Sequence, residues 1–234
     1  TGGFFSFARS LVGQLRQIGK IRTGERYTTV LNSFGRFRRN TEVSWDEMDS
    51  DLMIEYETYL KSRGVCPNTS SYYMRGLRAI YNRAVEKKMT VQRDPFKYVY
   101  TGIGKTVKRA VPLKVIRQIR DMDLALFPAM DFARDIFMFS FYTRGMSFID
   151  MAYLKKKDLQ NGILSYRRQK TGQQLFVKWE KPMQEIVDKY DTNATPYLLP
   201  VIRDMHADAR RQYKNAAHLV NDKLKKLGEQ LGLD

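Results

Sequence analysis

The chain has 234 residues, 43% of them hydrophobic, with 41 Lys plus Arg against 25 Asp plus Glu and a formal net charge of +16. That length and apolar content exclude a disordered chain and allow two modest domains or one large one. The cationic excess points to a polyanion, nucleic acid first, or else to a basic surface with no specific partner.

Cys66 is the single cysteine, so an internal disulfide is excluded, and with only two histidines so is a common structural zinc site. No cofactor or metal is expected. A reducing cytoplasm fits this cysteine usage. No apolar run approaches the roughly 20 residues that span a bilayer. Thr1-Gly2-Gly3-Phe4-Phe5 lacks a signal-peptide core and reads as an arbitrary start.

Residues 4–93 are predicted to be mostly helical. One helix runs from Phe4 to about Gln17 and a second from about Thr23 to Arg39. Asp46 caps a short turn. A third helix, Asp51 to Arg63, carries the stripe Leu52, Tyr56, Tyr59 and Leu60 at helical spacing and ends at Gly64. A fourth follows Pro67-Asn68-Thr69. One of its faces is apolar (Tyr73, Leu77, Ile80, Tyr81, Ala84) and another is polar and basic (Ser71, Arg75, Arg78, Asn82). Such a helix suits a phosphate backbone, and equally an ordinary solvated face.

Residues 94–112, punctuated by Asp94-Pro95, Gly102, Gly104 and Pro112, are predicted to be a linker made basic by Lys105, Lys108 and Arg109. From Pro112 a helix to about Asp121 turns Val115, Ile116 and Ile119 inward. A longer one, about Pro128 to Tyr142, carries Phe132, Ile136, Phe137, Phe139 and Phe141 and is expected to be buried on most sides. Ile163–Arg167 and Leu175–Val177 read as strands around a turn at Lys170-Thr171-Gly172-Gln173. Helices return after Pro182 and from about Tyr197 to the end.

The chemistry-bearing stretch is Phe141-Tyr142-Thr143-Arg144-Gly145-Met146-Ser147-Phe148-Ile149-Asp150-Met151. A buried aromatic helix runs into an arginine flanked by glycine. Arg144 needs an anion or an acceptor where the helix opens. That partner is either a phosphate, which guanidinium grips bidentately, or a structural carboxylate such as Asp150. Lys170 at the hairpin tip either reaches a phosphate and donates a proton to a leaving oxygen, or is simply solvated.

In this arrangement of parts the chain resembles the tyrosine recombinases (phage integrase family). The resemblance rests on the helical first part, the basic linker, the buried helix ending in Thr143-Arg144-Gly145, the segment Ile149–Leu154 followed by Lys157-Asp158-Leu159, and the hairpin with Lys170-Thr171-Gly172. It implies a mostly α chain with a small β-hairpin or sheet. A helical, SAM-like core-binding domain would occupy residues 1–93. A basic linker would occupy 94–112, and the opening part of an α+β catalytic domain 113–234.

The function so implied is a DNA-binding fragment of a site-specific recombinase that clamps duplex DNA, in a prokaryotic cytoplasm, and breaks and rejoins it through a 3′-phosphotyrosyl link. Cations lower the barrier by meeting the charge that gathers on the phosphate oxygens. Arg144 matches the family's first arginine and Lys170 its hairpin lysine. DNA contacts are expected from Thr69, Ser71, Arg75, Arg78, Lys105, Lys108 and Arg109, and oligomerisation on DNA from a full-length protein. The family's acidic residue stands three positions after the arginine, where this chain has Ser147; Asp150 stands six after, as a candidate supporting residue. No His-x-x-Arg is present, because Ala209 and Asn221 stand three after His206 and His218. The nucleophilic tyrosine is expected beyond Asp234, and the fragment is expected not to cleave alone. The alternative is a non-catalytic architectural or regulatory DNA-binding protein. RNA is disfavoured, since the aromatics fall in core stripes.

Overall fold

The computed structural model describes residues 2–106 and 110–233. The chain divides into two compact units, Thr1–Lys108 and Arg109–Asp234.

The first unit is four helices: α1 Phe4–Gln17, α2 Ile21–Phe37, α3 Ser50–Ser62 and α4 Pro67–Glu86. Each buries one apolar stripe in a shared core built around Phe4, Phe34, Tyr56, Leu77, Ile80 and Tyr81. Burying polar hydroxyls there requires partners. Tyr56 donates to Ser33 Oγ at 2.8 Å and Tyr81 to the Val91 carbonyl at 2.8 Å. The start of α1 is capped from far along the chain: Glu42 accepts from the Phe5 and Ser6 amides at 2.6 and 3.1 Å. The cap of α3 is Asp49, which accepts from Leu52 N at 2.9 Å, whereas Asp46 lies in the preceding turn.

Part of the stretch expected as a linker belongs to this core. Phe96 and Val99 are buried in it, and Tyr81 stacks edge-on against Phe96. Pro and Gly signal a break in regular structure, and such a break is compatible with docked coil as well as with a tether.

The second unit opens with α5 Leu113–Asp121, followed by the central helix α6 Pro128–Tyr142 and the short α7 Phe148–Ala152. Next comes an antiparallel sheet in the order β1 (Leu159–Gln160), β2 (Ile163–Arg167) and β3 (Gln174–Lys178). Leu164 pairs with Val177 and Tyr166 with Leu175. Helices α8 Lys181–Asp188 and α9 Ala209–Gln230 complete the unit. Its core gathers Ile136 and Phe139 of α6 with Leu164, Val177, Met183, Leu199 and Val220.

Helix α6 is buried on most sides, as its apolar content leads one to expect: only Pro128 and Phe141 along it are exposed. One expectation needs correction. Residues 197–208 are not helical. Pro200 interrupts them, Leu198, Leu199, Val201 and Ile202 pack into the core as irregular chain, and α9 starts only after Asp208. Asp208 caps α9 by accepting from the amides of Arg210 and Arg211 at 2.7 and 3.1 Å.

A buried charge network fixes the first half of α6. Asp135, almost fully buried, accepts from Tyr190 Oη at 2.8 Å and Arg134 Nε at 3.2 Å and pairs with Lys189, while Arg134 also donates to the Met122 carbonyl at 2.7 Å. Burial first, and the Asp135 carboxylate second, push the Tyr190 hydroxyl well above its ordinary pKa. No helix among the described residues is long and apolar enough to cross a membrane.

Candidate functional site

The end of α6 sets up Arg144. Thr143 is buried and its hydroxyl donates to the Phe139 carbonyl at 2.6 Å, closing the last turn. The Arg144 amide then donates to Phe141 O at 3.0 Å and the Gly145 amide to Ser140 O at 2.7 Å. These two bonds are the paired closure that ends many helices, and it demands a left-handed residue at the first position past the cap. Glycine normally stands there. Here that residue is Arg144, with φ of +59°, followed by Gly145 at +86°. A left-handed conformation costs a non-glycine residue roughly 1–2 kcal/mol. The arginine side chain is exposed and turned out of the helix end.

Asp150 does not pair with Arg144. Its buried carboxylate accepts from Ser147 Oγ at 2.6 Å and from the Gln169 amide at 2.8 Å. The first bond stays beside the Arg144 loop; the second reaches the hairpin one residue before Lys170. One buried carboxylate therefore ties the two loops carrying the two candidate cations. Arg167 Nη1 donates to Gly172 O at 2.8 Å and Arg168 N to Gln173 O at 2.8 Å, fixing the rest of the hairpin turn. Lys170 is exposed at its tip. Among the described residues no hydrogen bond or ion pair holds the side chain of Arg144 or of Lys170.

A groove of about 690 Å³ opens beside Asp150, with Lys155, Lys157, Tyr166, Arg167 and Gln169 among its lining residues. Its cations suit an anionic ligand. His206 lies in the loop before α9 and His218 on α9, both exposed. Among the described residues no cluster of His, Cys, Asp or Glu could hold a metal ion.

The first unit carries the other expected residues. On α4 the expected polar face is partly covered. Ser71 is fully buried and its hydroxyl donates to the Gly102 carbonyl, so it is unavailable to an external ligand. Arg78 is exposed, donating to Thr101 Oγ1 at 3.3 Å, and Arg75 is half-buried. Thr69 sits one turn into α4 beside Cys66, 3.2 Å from its sulfur. Lys105 is exposed. Lys108 and Arg109 lie outside the described residues.

Helix periodicity could not reveal the covering segment, because a chain passing over a polar face leaves no mark in the helix's own pattern. Ser147 was also missed as a functional partner, although Ser147-x-x-Asp150 carries the spacing of a helix-start motif.

Residues 3–102 match the family model of the phage integrase SAM-like domain. The first unit therefore carries a phage integrase SAM-like domain. The fold likeness extends over both units. A lambda integrase dimer bound to a COC′ core site aligns with a TM-score of 0.62 at 14% identity, covering 93% of this chain and 81% of that one. Lambda integrase bound to DNA gives 0.60 at 13% identity, covering 94% and 79%. A lambda integrase tetramer bound to a Holliday junction gives 0.59 at 10% identity, covering 85% of this chain but 58% of the other. At these identities the likeness is one of fold. No curated protein sequence matches the chain.

Proposed function

We propose that this chain belongs to the integrase (tyrosine recombinase) family and is the DNA-binding portion, with the opening part of the catalytic domain, of a site-specific recombinase that breaks and rejoins duplex DNA through a 3′-phosphotyrosyl intermediate. The observation that carries this reading is Arg144: an arginine in a glycine conformation, exposed, unpaired and next to a buried carboxylate that anchors a lysine-tipped hairpin. Arg39 and Lys88 also adopt a left-handed φ; what sets Arg144 apart is its exposed guanidinium beside the Asp150-anchored hairpin, and phosphate is the anion that guanidinium fits best. In this reading Arg144 meets the non-bridging oxygens as charge builds on them, and Lys170 delivers a proton to the departing 5′ oxygen. Asp150 positions both loops without touching substrate. Thr69, Arg75, Arg78, Lys105, Lys108 and Arg109 hold phosphates along the flanking duplex. The proposed division is a DNA-binding unit up to the linker and a catalytic part from residue 113.

We further propose that these 234 residues bind DNA without cutting it. They hold no His-x-x-Arg. Burial raises the hydroxyls of Tyr142, Tyr153 and Tyr166 above their ordinary pKa, which makes each a poorer nucleophile near neutral pH. The lambda integrase structures hold dimers and tetramers on DNA, and assembly on DNA is proposed for a recombinase containing this chain.

The test is a denaturing gel after incubation with a nicked suicide recombination site. The expected result is a band shift in native gels and no covalent protein–DNA band in denaturing ones. A covalent band would overturn the cleavage-incompetent reading. In a cleaving recombinase that contains this chain, Arg144→Ala is expected to abolish cleavage while DNA affinity persists; normal cleavage removes Arg144 from the mechanism.

A further inference from the structure

Residues 100–104 form a strap laid over the polar face of α4. Every anchor comes from α3 or α4. Glu57 accepts from the Tyr100 amide at 2.8 Å, Arg78 donates to Thr101 at 3.3 Å, and Ser71 donates to the Gly102 carbonyl. Asn68 binds Gly104 from both sides, accepting from its amide at 2.8 Å and donating to its carbonyl at 3.4 Å. A Cβ on Gly104 would lie 3.1 Å from Asn68 Oδ1 and one on Gly102 would lie 2.7 Å from the Tyr100 ring, so either change would make the Asn68 or Tyr100 side chain shift. Between these two fixed glycines stands Ile103, 75% exposed. A lone exposed isoleucine on a loose loop needs no explanation. This one stands between two residues whose backbone is hydrogen-bonded to α4, with Arg78 bonded to Thr101 of the strap, Arg75 one turn earlier on α4 and exposed Lys105 two residues further along the chain.

We propose that Ile103 is an apolar wedge that enters the minor groove of bound duplex DNA and partly unstacks one base step. The surrounding cations supply the charge complementarity, gripping phosphates on either side. An aliphatic side chain on a rigid mount is what minor-groove binders insert at a deformable step. The inference rests on the DNA-binding reading above.

The experiment uses the whole chain and a relaxed closed-circular plasmid, resealed by a topoisomerase in the presence of protein. Gel shift fixes the occupancy, and the topoisomer distribution reads the unwinding. The wild-type chain is expected to shift the linking number. Ile103→Ala, an exposed-site change, is expected to bind with the same salt dependence but to unwind about half as much or less per bound molecule, while Ile103→Leu retains the effect. Equal unwinding by Ile103→Ala, or full occupancy by the wild type without any topoisomer shift, overturns the wedge and leaves DNA binding standing. No gel shift at low salt overturns the DNA-binding reading and the wedge with it.

Discussion

Replacing Arg144 by glycine separates an arginine kept for function from one kept for structure. At φ of +59° the wild-type residue bears a left-handed penalty of roughly 1–2 kcal/mol. Glycine removes the penalty but adds back about 0.5–1 kcal/mol of chain entropy on folding. No hydrogen bond or ion pair of the guanidinium is lost, because among the described residues none exists. The net expectation is a stabilisation of roughly 0.5–1 kcal/mol, which for a unit of this size corresponds to about 2–5 °C in Tm. Trp179 reports on this unit, since its indole donates to Gln184 at 2.8 Å and meets Phe139 edge-on. Urea unfolding followed by Trp179 fluorescence, in a Trp45→Phe background, measures the difference. A less stable Arg144→Gly would mean that the guanidinium is a structural partner, and the argument from strain would fail.

Asp150→Ala strands the Gln169 amide and the Ser147 hydroxyl, at a cost of about 1–3 kcal/mol; amide exchange at Gln169 is expected to accelerate markedly, and unchanged exchange would show that the hairpin is held by other means. Asp135→Ala leaves Lys189, Arg134 and Tyr190 around an empty centre and is expected to destabilise the second unit by about 3–5 kcal/mol in urea melts, with a loss near zero contradicting the network's role. The Thr69 hydroxyl, then its backbone amide, lower the Cys66 thiol below its ordinary pKa, so more thiolate is present at neutral pH and iodoacetamide is expected to react faster with the folded chain than with the urea-unfolded one. Thr69→Val is expected to slow that reaction, and equal rates in the wild type and the variant would exclude the hydroxyl as the cause.

The helices were legible wherever an apolar stripe met a clear stop. Phe4–Gln17 and Pro128–Tyr142 follow from the pattern directly, as does the strand Ile163–Arg167. What failed was coil that packs. Phe96 and Val99 are core residues in a segment whose prolines and glycines read as a tether, and Leu198–Ile202 fill the second core without a helix. Periodicity detects regular elements and is blind to irregular chain that buries the same side chains. At the candidate site, Thr143-Arg144-Gly145 announced a helix end, but glycine was the natural candidate for the left-handed position. The local closure of α6 puts that role on Arg144 instead, and the reach of Asp150 across to Gln169 joins segments 19 residues apart, which no local pattern records.

The proposed binding of duplex DNA rests on phosphate contacts from half-buried Arg75 and exposed Arg78 of α4 and from exposed Lys105 just past the strap. Fluorescence anisotropy with a labelled duplex, titrated from low to moderate salt, tests it directly. The account expects log K to fall linearly with log salt, and the triple variant Arg75→Ala, Arg78→Ala, Lys105→Ala to flatten that slope by about 2 to 3. A chain that does not bind at low salt, or a triple variant with the wild-type slope, would contradict it.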